Sequence, residues 1–293
     1  MDPHLLRTFV AVARCRSFSA AARELGFTQS AVSQHIAALE ADLRTALLTR
    51  RPVEPTPAGA RLLEHAGPLL LRLDAARAEI ASLASAPTAE LVVGVSPLAL
   101  TARLAAAVAE AERRHPGTGT TVRILDRAEI PAAVATGGLD LGLTDGVAAP
   151  SDPLPLPDVA PLTTAAAAQS PLAVVLPDGH PLARRSGLRL SDLADARWLD
   201  APECGIPLAR LRAATGARGF RPAFRYDGTD VRGLLTLAAA GHGLALLPRA
   251  VAEQAPGGAA VPLVAPRLVH RIELVHRAVL GGPAAVVAAL AVD

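Results

Sequence analysis

The stretch "FSAAARELGFTQSAVSQHIAALEADL", Phe18 to Leu43, has the pattern of two short helices around a single glycine. Ser19 is a candidate N-cap of the first helix, and Gly26 stands where a left-handed residue would end it. Thr28 is a candidate cap for a second helix that begins at Gln29. Two short helices joined by a glycine-containing turn predict a helix-turn-helix.

The helix that begins at Gln29 has two chemically different faces. At about 100° per residue, one arc holds the apolar side chains of Val32, Ile36, Leu39 and Leu43. The opposite arc holds the small side chains of Ser30, Ser33, Gln34 and Ala37. Short hydroxyl and amide side chains let a helix lie close in the DNA major groove, where glutamine pairs with adenine. A solvated helix face without a partner is the alternative.

The next segment, "LLTRRPVEPTPAG", is interrupted by prolines and favours an extended wing. Arg50 and Arg51 stand near its start. Two arginines beside a recognition helix suit phosphate or minor-groove contacts, whereas an ordinary solvated arginine pair is the alternative. Next to a helix-turn-helix, the pair favours DNA binding.

Thr56 and Pro57 predict the start of a long helix, as its N-cap and its first residue. Apolar residues then recur at alternating spacings of four and three, at Leu62, Ala66, Leu69, Leu73, Ala76, Ile80 and Leu83. Such a seam is typical of paired helices, so residues 57–86 are expected to dimerise the chain. Packing of this helix on its own domain is the alternative.

From Glu90 onward, strands alternate with helices. "ELVVGV", "LDLGLT" and "LAVVLP" are examples of the strands, and Ser96 with Pro97 predicts a helix start directly after the first of them. This alternation predicts an α/β region with largely parallel sheets. Sheets of this kind bind ligands outside the carboxyl ends of their strands.

Length, charge and cysteine content narrow the class of protein. With 293 residues, 51% of them hydrophobic, the chain is long enough for two or more domains. Its net positive charge falls within residues 1–58, at the end where DNA binding is expected. Cys15 and Cys204 form neither a disulfide framework nor a zinc-binding spacing, and no apolar run is long enough to span a bilayer. We expect a cytoplasmic protein without metal, cofactor or membrane.

Over nearly its whole length the chain resembles the LysR-type transcriptional regulators. The resemblance is carried by "SFSAAARELGFTQSAVSQHIAALEADL" and "LLTRRPVEPTPAG", and by the later phrases "VVLPDGHPLARR", "LSDLADARW" and "AAAGHGLALLP". Arg44 and Ala46 depart from the family pattern, in which glycine and proline are common there. The resemblance implies α/β architecture with an all-α, winged N-terminal domain.

The resemblance also implies a domain layout. A winged helix-turn-helix DNA-binding domain would occupy residues 1–58, a linker helix 57–86, and a two-lobed, periplasmic-binding-protein-like effector domain 89–293. Within the effector domain, residues 89–161 and 267–293 would form one lobe and residues 162–266 the other.

Two sets of site residues follow from the resemblance. The residues expected to bind DNA are Thr28, Gln29, Ser30, Ser33, Gln34, Arg50 and Arg51. The residues expected to line an effector cleft, taken from strand ends, are Ser96, Leu98, Asp126, Arg127, Thr144, Asp145, Pro202, Glu203, Cys204, Thr229 and Asp230. Each of the latter could equally be a helix cap or a turn residue. The acidic residues among them favour an amine-bearing or zwitterionic ligand.

The expected function is that of a transcriptional regulator that binds double-stranded DNA as a homodimer or a dimer of dimers (a homotetramer) and senses a small metabolite between its lobes. The alternative is a two-lobed small-molecule-binding or biosynthetic protein with an accessory N-terminal helical domain. That alternative would leave the first 86 residues unexplained. The sequence contains no Gly-x-Ser-x-Gly elbow and no His-Glu-x-x-His motif, so no catalytic residues are expected.

Overall fold

The structure, a computed structural model, describes residues 1–84, 90–159, 161–216 and 218–292. By its contacts the chain divides into two compact units, Met1–Ser82 with Asp158–Ala160 and Leu83–Pro157 with Pro161–Asp293. We call them the N-terminal and C-terminal units. The predicted end of the linker helix at residue 86 and the predicted domain start at 89 lie outside the described residues. Among the described helices, none is both long enough and apolar enough to cross a membrane.

The N-terminal unit contains four helices, α1 (Pro3–Cys15), α2 (Phe18–Leu25), α3 (Gln29–Leu43) and α4 (Pro57–Ala84). Gly26 ends α2 with a left-handed φ of 70°, and the hydroxyl of Thr28 accepts the backbone N–H of Ala31, 3.2 Å away. Both predictions are confirmed. The predicted cap Ser19 is wrong, because Ser17 is the residue in extended backbone before α2 and accepts the N–H of Ala20.

The apolar arc of α3 fixes the helix on the core of this unit. Val32, Ile36 and Leu39 are completely buried, and they join a cluster that includes Phe9 and Phe18. The predicted fourth member, Leu43, is 37% exposed because it is the last residue of the helix. The burial of three successive turns prevents α3 from rotating about its axis, so its remaining faces have a defined direction.

The segment between α3 and α4 is a short wing. It contains an antiparallel bridge between Leu48 and Pro55, and the Glu40 carboxylate ties it to α3 by accepting the N–H of Leu47 at 2.8 Å. The wing runs so close to α4 that a Cβ on Gly59 would lie 2.0 Å from the carbonyl oxygen of Leu47. Glycine is therefore required at that position.

The C-terminal unit is built from ten strands and six α-helices within the described residues. The strands are β1 (Glu90–Val95), β2 (Gly119–Ile124), β3 (Leu141–Ala148), β4 (Leu162–Pro177), β5 (Leu188–Arg189), β6 (Trp198–Asp200), β7 (Pro222–Arg225), β8 (Ala245–Pro248), β9 (Gly258–Ala265) and β10 (Val269–Arg277). The helices are α5 (Ala102–Arg114), α6 (Ile130–Ala135), α7 (Leu208–Thr215), α8 (Val231–Ala239), α9 (Arg249–Ala252) and α10 (Gly282–Ala291).

Eight of these strands form one sheet in the order β2-β1-β3-β10-β4-β9-β5, with β8 also paired to β4, while β6 and β7 form a small separate sheet. β1 is parallel to β2 and β3. β5 is also parallel to β9, and β6 to β7. The expectation of largely parallel sheets is nevertheless wrong for the centre of the large sheet, because β10 runs antiparallel to β3 and β4, and β4 runs antiparallel to β8 and β9. Strand β10, late in the sequence, lies between β3 and β4 and runs antiparallel to both.

The long strand β4 joins two lobes. Residues Leu162–Pro171 pair with β10, and Leu172–Pro177 with β8 and β9. The change of partner therefore lies ten residues beyond the predicted lobe boundary at 161/162, since the strand continues through that boundary without a break. Separate apolar clusters fill the two lobes: one surrounds β1, β3 and α5, which we call lobe I, and the other surrounds β8, the second half of β4 and α8, which we call lobe II.

Candidate functional site

The first two turns of α3 carry most of the predicted DNA-binding residues. Exposed side chains in this segment are those of Thr28, Gln29, Ser30 and Gln34, and Ser33 is half-buried. The buried arc of α3 holds them in a fixed orientation. Short polar side chains at the start of a rigidly held helix are suited to contacts with base edges and phosphates.

One hydrogen bond prepares Gln29 for such a contact. The Ser19 hydroxyl donates to the Gln29 side-chain oxygen at 3.1 Å, which leaves the amide nitrogen of Gln29 with its two N–H donors. Ser19 therefore holds the residue that begins α3 instead of capping α2. Sequence reasoning missed this role because the two residues lie on different helices.

The two wing arginines have different surroundings. The Arg50 guanidinium lies 5.1 Å from the centre of the Phe18 ring and 3.7 Å from the Glu40 carboxylate, so a cation–π contact and an ion pair both hold it. Arg51 is exposed and makes no ion pair with any described residue. Of the two, Arg51 keeps its charge uncompensated.

The predicted seam of α4 divides into two parts. Ala66 is completely buried and packs with Leu62 in the core of its own unit, so the alternative interpretation is correct for this part. Further along, Leu69, Leu73 and Ile80 are 43%, 38% and 69% exposed. The side chain of Leu83 lies outside the described residues. Beyond Ala66, the described part of the helix therefore has a partly exposed apolar stripe.

A cavity of about 150 Å³ lies between the two lobes of the C-terminal unit. Three predicted residues, Arg127, Thr144 and Asp145, line it from lobe I. The opposite side is lined by residues at the start of α7 that the sequence did not predict, Ile206, Pro207 and Arg210. Its apolar wall comprises Val147 and the segment Leu154, Pro155, Leu156 and Pro157.

The Asp145 side chain is completely buried at the edge of this cavity. Its Oδ2 lies 3.0 Å from Nε2 of His270 and 3.6 Å from a terminal nitrogen of Arg127. Burial acts to raise the pKa of Asp145, but the hydrogen bond from His270 and the charge of Arg127 outweigh burial and hold the pKa below its usual value. Asp145 is therefore an ionised carboxylate that positions Arg127 and His270 around it.

Two further links connect the cavity to its surroundings. Arg127 donates to the backbone oxygen of Gly205 at 2.9 Å, which joins lobe I to the loop before α7. Glu273 is buried, pairs with Arg271 at 2.8 Å and accepts the N–H of Leu154 at 2.9 Å, so it holds the apolar wall in place. The charged residues of β10 were missed, although their interruption of the apolar strand "VHRIELVHR" was a usable signal.

Ser96 and Leu98 lie outside the residues that line the cavity. Ser96 is completely buried and bonds through its N–H to the oxygen of Leu143 at 3.0 Å. The predicted helix start there is wrong, because α5 begins at Ala102 and its cap is the hydroxyl of Thr101. Leu98 packs with the apolar cluster of lobe II.

Asp126 and Asp230 both bond to nearby backbone N–H groups. Asp126 accepts the N–H of Ala128 at 2.7 Å, and Asp230 accepts the N–H groups of Arg232 and Gly233 at the start of α8. Neither residue lines the cavity, and neither does Thr229, which is exposed. The turn alternative is therefore correct for Asp126 and the cap alternative for Asp230, and the basis for an amine-bearing ligand is lost.

Pro202, Glu203 and Cys204 also lie outside the cavity lining, in the loop whose continuation, Ile206 and Pro207, lines it. Cys204 is completely buried, and burial raises the pKa of its thiol to about 11. No cluster of metal-ligating side chains occurs in the described parts of the chain.

A helix-turn-helix unit joined to a two-lobed unit with a cleft defines the class of ligand-responsive DNA-binding regulators. The family model "LysR substrate binding domain" matches residues 84–291, and "Bacterial regulatory helix-turn-helix protein, lysR family" matches residues 3–60. The chain belongs to the LysR family of transcriptional regulators. The predicted fold class and family are confirmed.

Two proteins of similar sequence are transcriptional regulators and not enzymes. A probable hydrogen peroxide-inducible genes activator of Mycobacterium avium is 36% identical over 65% of this chain and 59% of its own length. The regulator CysL of Bacillus subtilis is 27% identical over 84% of this chain and 80% of its own length.

Solved structures share the fold. Full-length BenM aligns over 99% of this chain and 95% of its own, with 24% identity and a TM-score of 0.55. Full-length CbnR in complex with its target DNA aligns over 99% of each chain, with 21% identity and a TM-score of 0.52.

Proposed function

We propose that this LysR-type regulator binds an operator as a dimer through α3 and the wing, and that a small effector in the cleft between the lobes changes operator binding. The observation that supports effector control is the hydrogen bond from Arg127 to the backbone oxygen of Gly205, which connects the two lobes at the edge of the cavity. A ligand that enters the cavity contacts both sides of this link. Such a ligand has different affinities for different lobe arrangements, which is the requirement for regulation.

The exposure and chemistry of the side chains on α3 and the wing indicate which of them contact DNA. Gln29, Ser30, Ser33 and Gln34 contact base edges or nearby phosphates, and Thr28 supports them as the cap of α3. Arg51 provides a phosphate contact because its charge is uncompensated. Arg50 has a mainly structural role, since Phe18 and Glu40 hold it.

The exposed stripe of α4 is proposed to pair two chains, and this pairing is testable. Leu69→Asp and Leu73→Asp would each place an unpaired carboxylate in an apolar contact, which costs on the order of 3 kcal/mol and raises the dimer dissociation constant roughly a hundredfold. Sedimentation equilibrium of the full chain measures this constant. The control is Gly67→Asp on the same helix, because Gly67 is exposed and a Cβ there would meet no neighbouring atom within 4 Å.

We expect Gly67→Asp to remain as dimeric as the wild type. If Leu69→Asp and Leu73→Asp also keep the wild-type oligomer, α4 does not pair the chains.

Filling the cleft tests effector control. Ala128 is exposed and lines the cavity, so Ala128→Trp places an indole in it without disturbing a buried contact. We expect operator affinity to change by about fivefold or more, the usual lower bound for coupling between two sites. Ala250→Trp, on the exposed side of α9, is the matched control and should leave affinity unchanged. The readout is fluorescence anisotropy of labelled operator DNA, and equal affinities for all three proteins would refute control by the cleft.

Peroxide sensing, suggested by the name of the Mycobacterium avium relative, is not favoured. Oxidation by peroxide needs a thiolate, whereas burial raises the pKa of the Cys204 thiol to about 11. Cys15 lies in the other unit, and its pKa is also raised, by desolvation and by the neighbouring Glu24. Both cysteines are neutral thiols near pH 7, so we favour a metabolite in the cleft.

A further inference from the structure

We infer that a hydrogen bond between Thr8 of α1 and His35 of α3 sets the position of α3 for base recognition, so that both residues are positioning residues for sequence discrimination. This inference rests on the proposed role of α3 in reading the operator. It adds two residues that lie outside the proposed reading face of Ser30, Ser33 and Gln34.

Thr8 is a polar residue in an apolar core. Only 1% of it is exposed, and it is the one buried polar residue among residues 1–81. Its neighbours on α1, Leu6 and Phe9, belong to the apolar cluster of the N-terminal unit. A buried hydroxyl costs stability unless it is hydrogen-bonded. The bonds that Thr8 makes are therefore needed for threonine to occupy this position.

The two contacts of this hydroxyl determine which nitrogen of His35 has the proton. Thr8 Oγ1 lies 3.0 Å from the backbone oxygen of His4 and 3.0 Å from Nδ1 of His35. Because a hydroxyl has a single proton, both contacts are hydrogen bonds only when Thr8 donates to His4 and accepts from His35. His35 therefore has its proton on Nδ1, and this N–H donates from α3 to α1.

Phe27 contacts the imidazole of His35 from the turn before α3. The two rings meet edge to face, with 5.3 Å between their centres and 83° between their planes. The backbone N–H of Phe27 donates to the oxygen of Ala22 at 2.9 Å, so the end of α2 fixes the position of Phe27. Such a ring contact has a preferred geometry. It restricts rotation of the imidazole and keeps Nδ1 directed at Thr8.

Directional bonds hold α3 at three points along its length, each from a different element. They join Ser19 of α2 to Gln29 at the start, Thr8 of α1 to His35 in the middle, and Leu47 of the wing to Glu40 near the end. Since His35 directly follows Gln34, the middle bond acts on the part of α3 that is proposed to contact bases.

Apolar packing alone does not replace this bond. Burial of Val32, Ile36 and Leu39 prevents rotation of α3 about its axis, but the hydrophobic effect is non-directional and restricts small shifts along the axis less. A hydrogen bond to a base needs a donor–acceptor distance of about 2.7–3.2 Å. A small shift of α3 therefore weakens base contacts, whereas contacts to phosphates by flexible arginines adapt to it.

The test measures sequence discrimination by the full chain. The probes are the duplex that the wild type enriches most from a random-sequence library and a shuffled duplex of the same composition, and fluorescence anisotropy gives the ratio of the two affinities. Thr8→Val and His35→Leu each remove the bond. We expect the ratio to fall at least about fivefold in each, the lower end of what one base contact provides. Affinity for the shuffled duplex should stay nearly unchanged, because phosphate contacts dominate it.

Conservative variants should retain the discrimination. Thr8→Ser keeps the acceptor, and His35→Asn places an amide N–H where Nδ1 lies, so we expect both to keep most of the wild-type ratio. The matched control is His65→Leu, because His65 is exposed on α4 and lies outside α3 and the wing. It should leave both affinities unchanged.

The double variant Thr8→Val, His35→Leu separates positioning from stability. It replaces both partners by apolar side chains and leaves no buried polar group unpaired, so the midpoint of thermal unfolding, followed by circular dichroism, should return toward the wild-type value. Its discrimination should stay low, because the directional bond is still absent. If discrimination returns together with stability, the pair only stabilises the fold and the inference is wrong. Wild-type discrimination in both single variants would also overturn it.

The Ser33→Ala, Gln34→Ala double variant in the same assay distinguishes this inference from the proposed function. If that variant loses discrimination while Thr8→Val keeps it, α3 reads the DNA but Thr8 does not position it. If neither variant loses discrimination, the proposed role of α3 is wrong, and this inference fails with it.

Discussion

Replacing Asp145 by asparagine is expected to lower the free energy of unfolding of the C-terminal unit by about 3 kcal/mol, the lower end of the cost of breaking a buried ion pair. The replacement leaves His270 and Arg127 without the buried carboxylate that they share. Urea unfolding followed by fluorescence of Trp198, the one tryptophan of the chain, reports on this unit.

The effect should depend on pH in one direction. Because the folded-state pKa of Asp145 is lowered, its ionisation stabilises the fold fully above the unfolded pKa, near 4. This stabilisation is lost as the pH falls through the folded pKa. The difference between wild type and Asp145→Asn should therefore be largest near pH 7 and shrink below pH 4.

Asp195→Asn removes an exposed carboxylate from the same unit and should have little effect at any pH. Equal stability of Asp145→Asn and wild type at pH 7 would show that Asp145 does not organise the cleft edge.

The second large effect concerns α3. Ser33→Ala combined with Gln34→Ala should cost about 1–3 kcal/mol for each lost base contact and should relax sequence preference. Binding to unrelated DNA should stay nearly unchanged, because phosphate contacts dominate it. Quantitative footprinting on operator and unrelated DNA separates the two effects.

Arg51→Ala is the matched comparison, since it should weaken binding to all sequences alike and reduce the salt dependence by about one unit of slope. An unchanged footprint of the double variant would mean that another surface reads the operator.

The sequence predicted the N-terminal unit well because its signals are local. Gly26 and Thr28 act within a few residues of their positions, and the structure confirms both. The cap of α2 was misplaced because Ser17 and Ser19 are both chemically suitable. Only the backbone conformation, extended at Ser17, selects between them.

The cleft was predicted less well because it depends on distant contacts. Asp145 and His270 are 125 residues apart, and they meet because β10 returns beside β3. Asp126 and Asp230 also stand at element ends, but their carboxylates are used by nearby N–H groups. A strand-end position therefore identifies a candidate, and the hydrogen bonds of the folded chain decide whether its side chain is free.

The seam of α4 shows the same limit. Its apolar spacing is uniform from Leu62 to Ile80, yet Ala66 is completely buried and Ile80 is 69% exposed. The difference arises because only the first turns of α4 lie on the core formed by α1, α2 and α3. Periodicity identifies an apolar face, but it does not identify what covers each part of that face.

The central claim is that the protein binds DNA as a dimer and that α3 of each chain recognises a defined base sequence. Selection of genomic DNA fragments by the purified full chain tests this claim most directly. The bound fragments are sequenced for the wild type and for the Ser33→Ala, Gln34→Ala double variant. The account predicts that the wild type enriches an imperfect inverted repeat, with one half-site for each chain, and that the double variant loses this enrichment while still retaining bulk DNA. Fragments with no common sequence, or the same repeat enriched equally by both proteins, would contradict it.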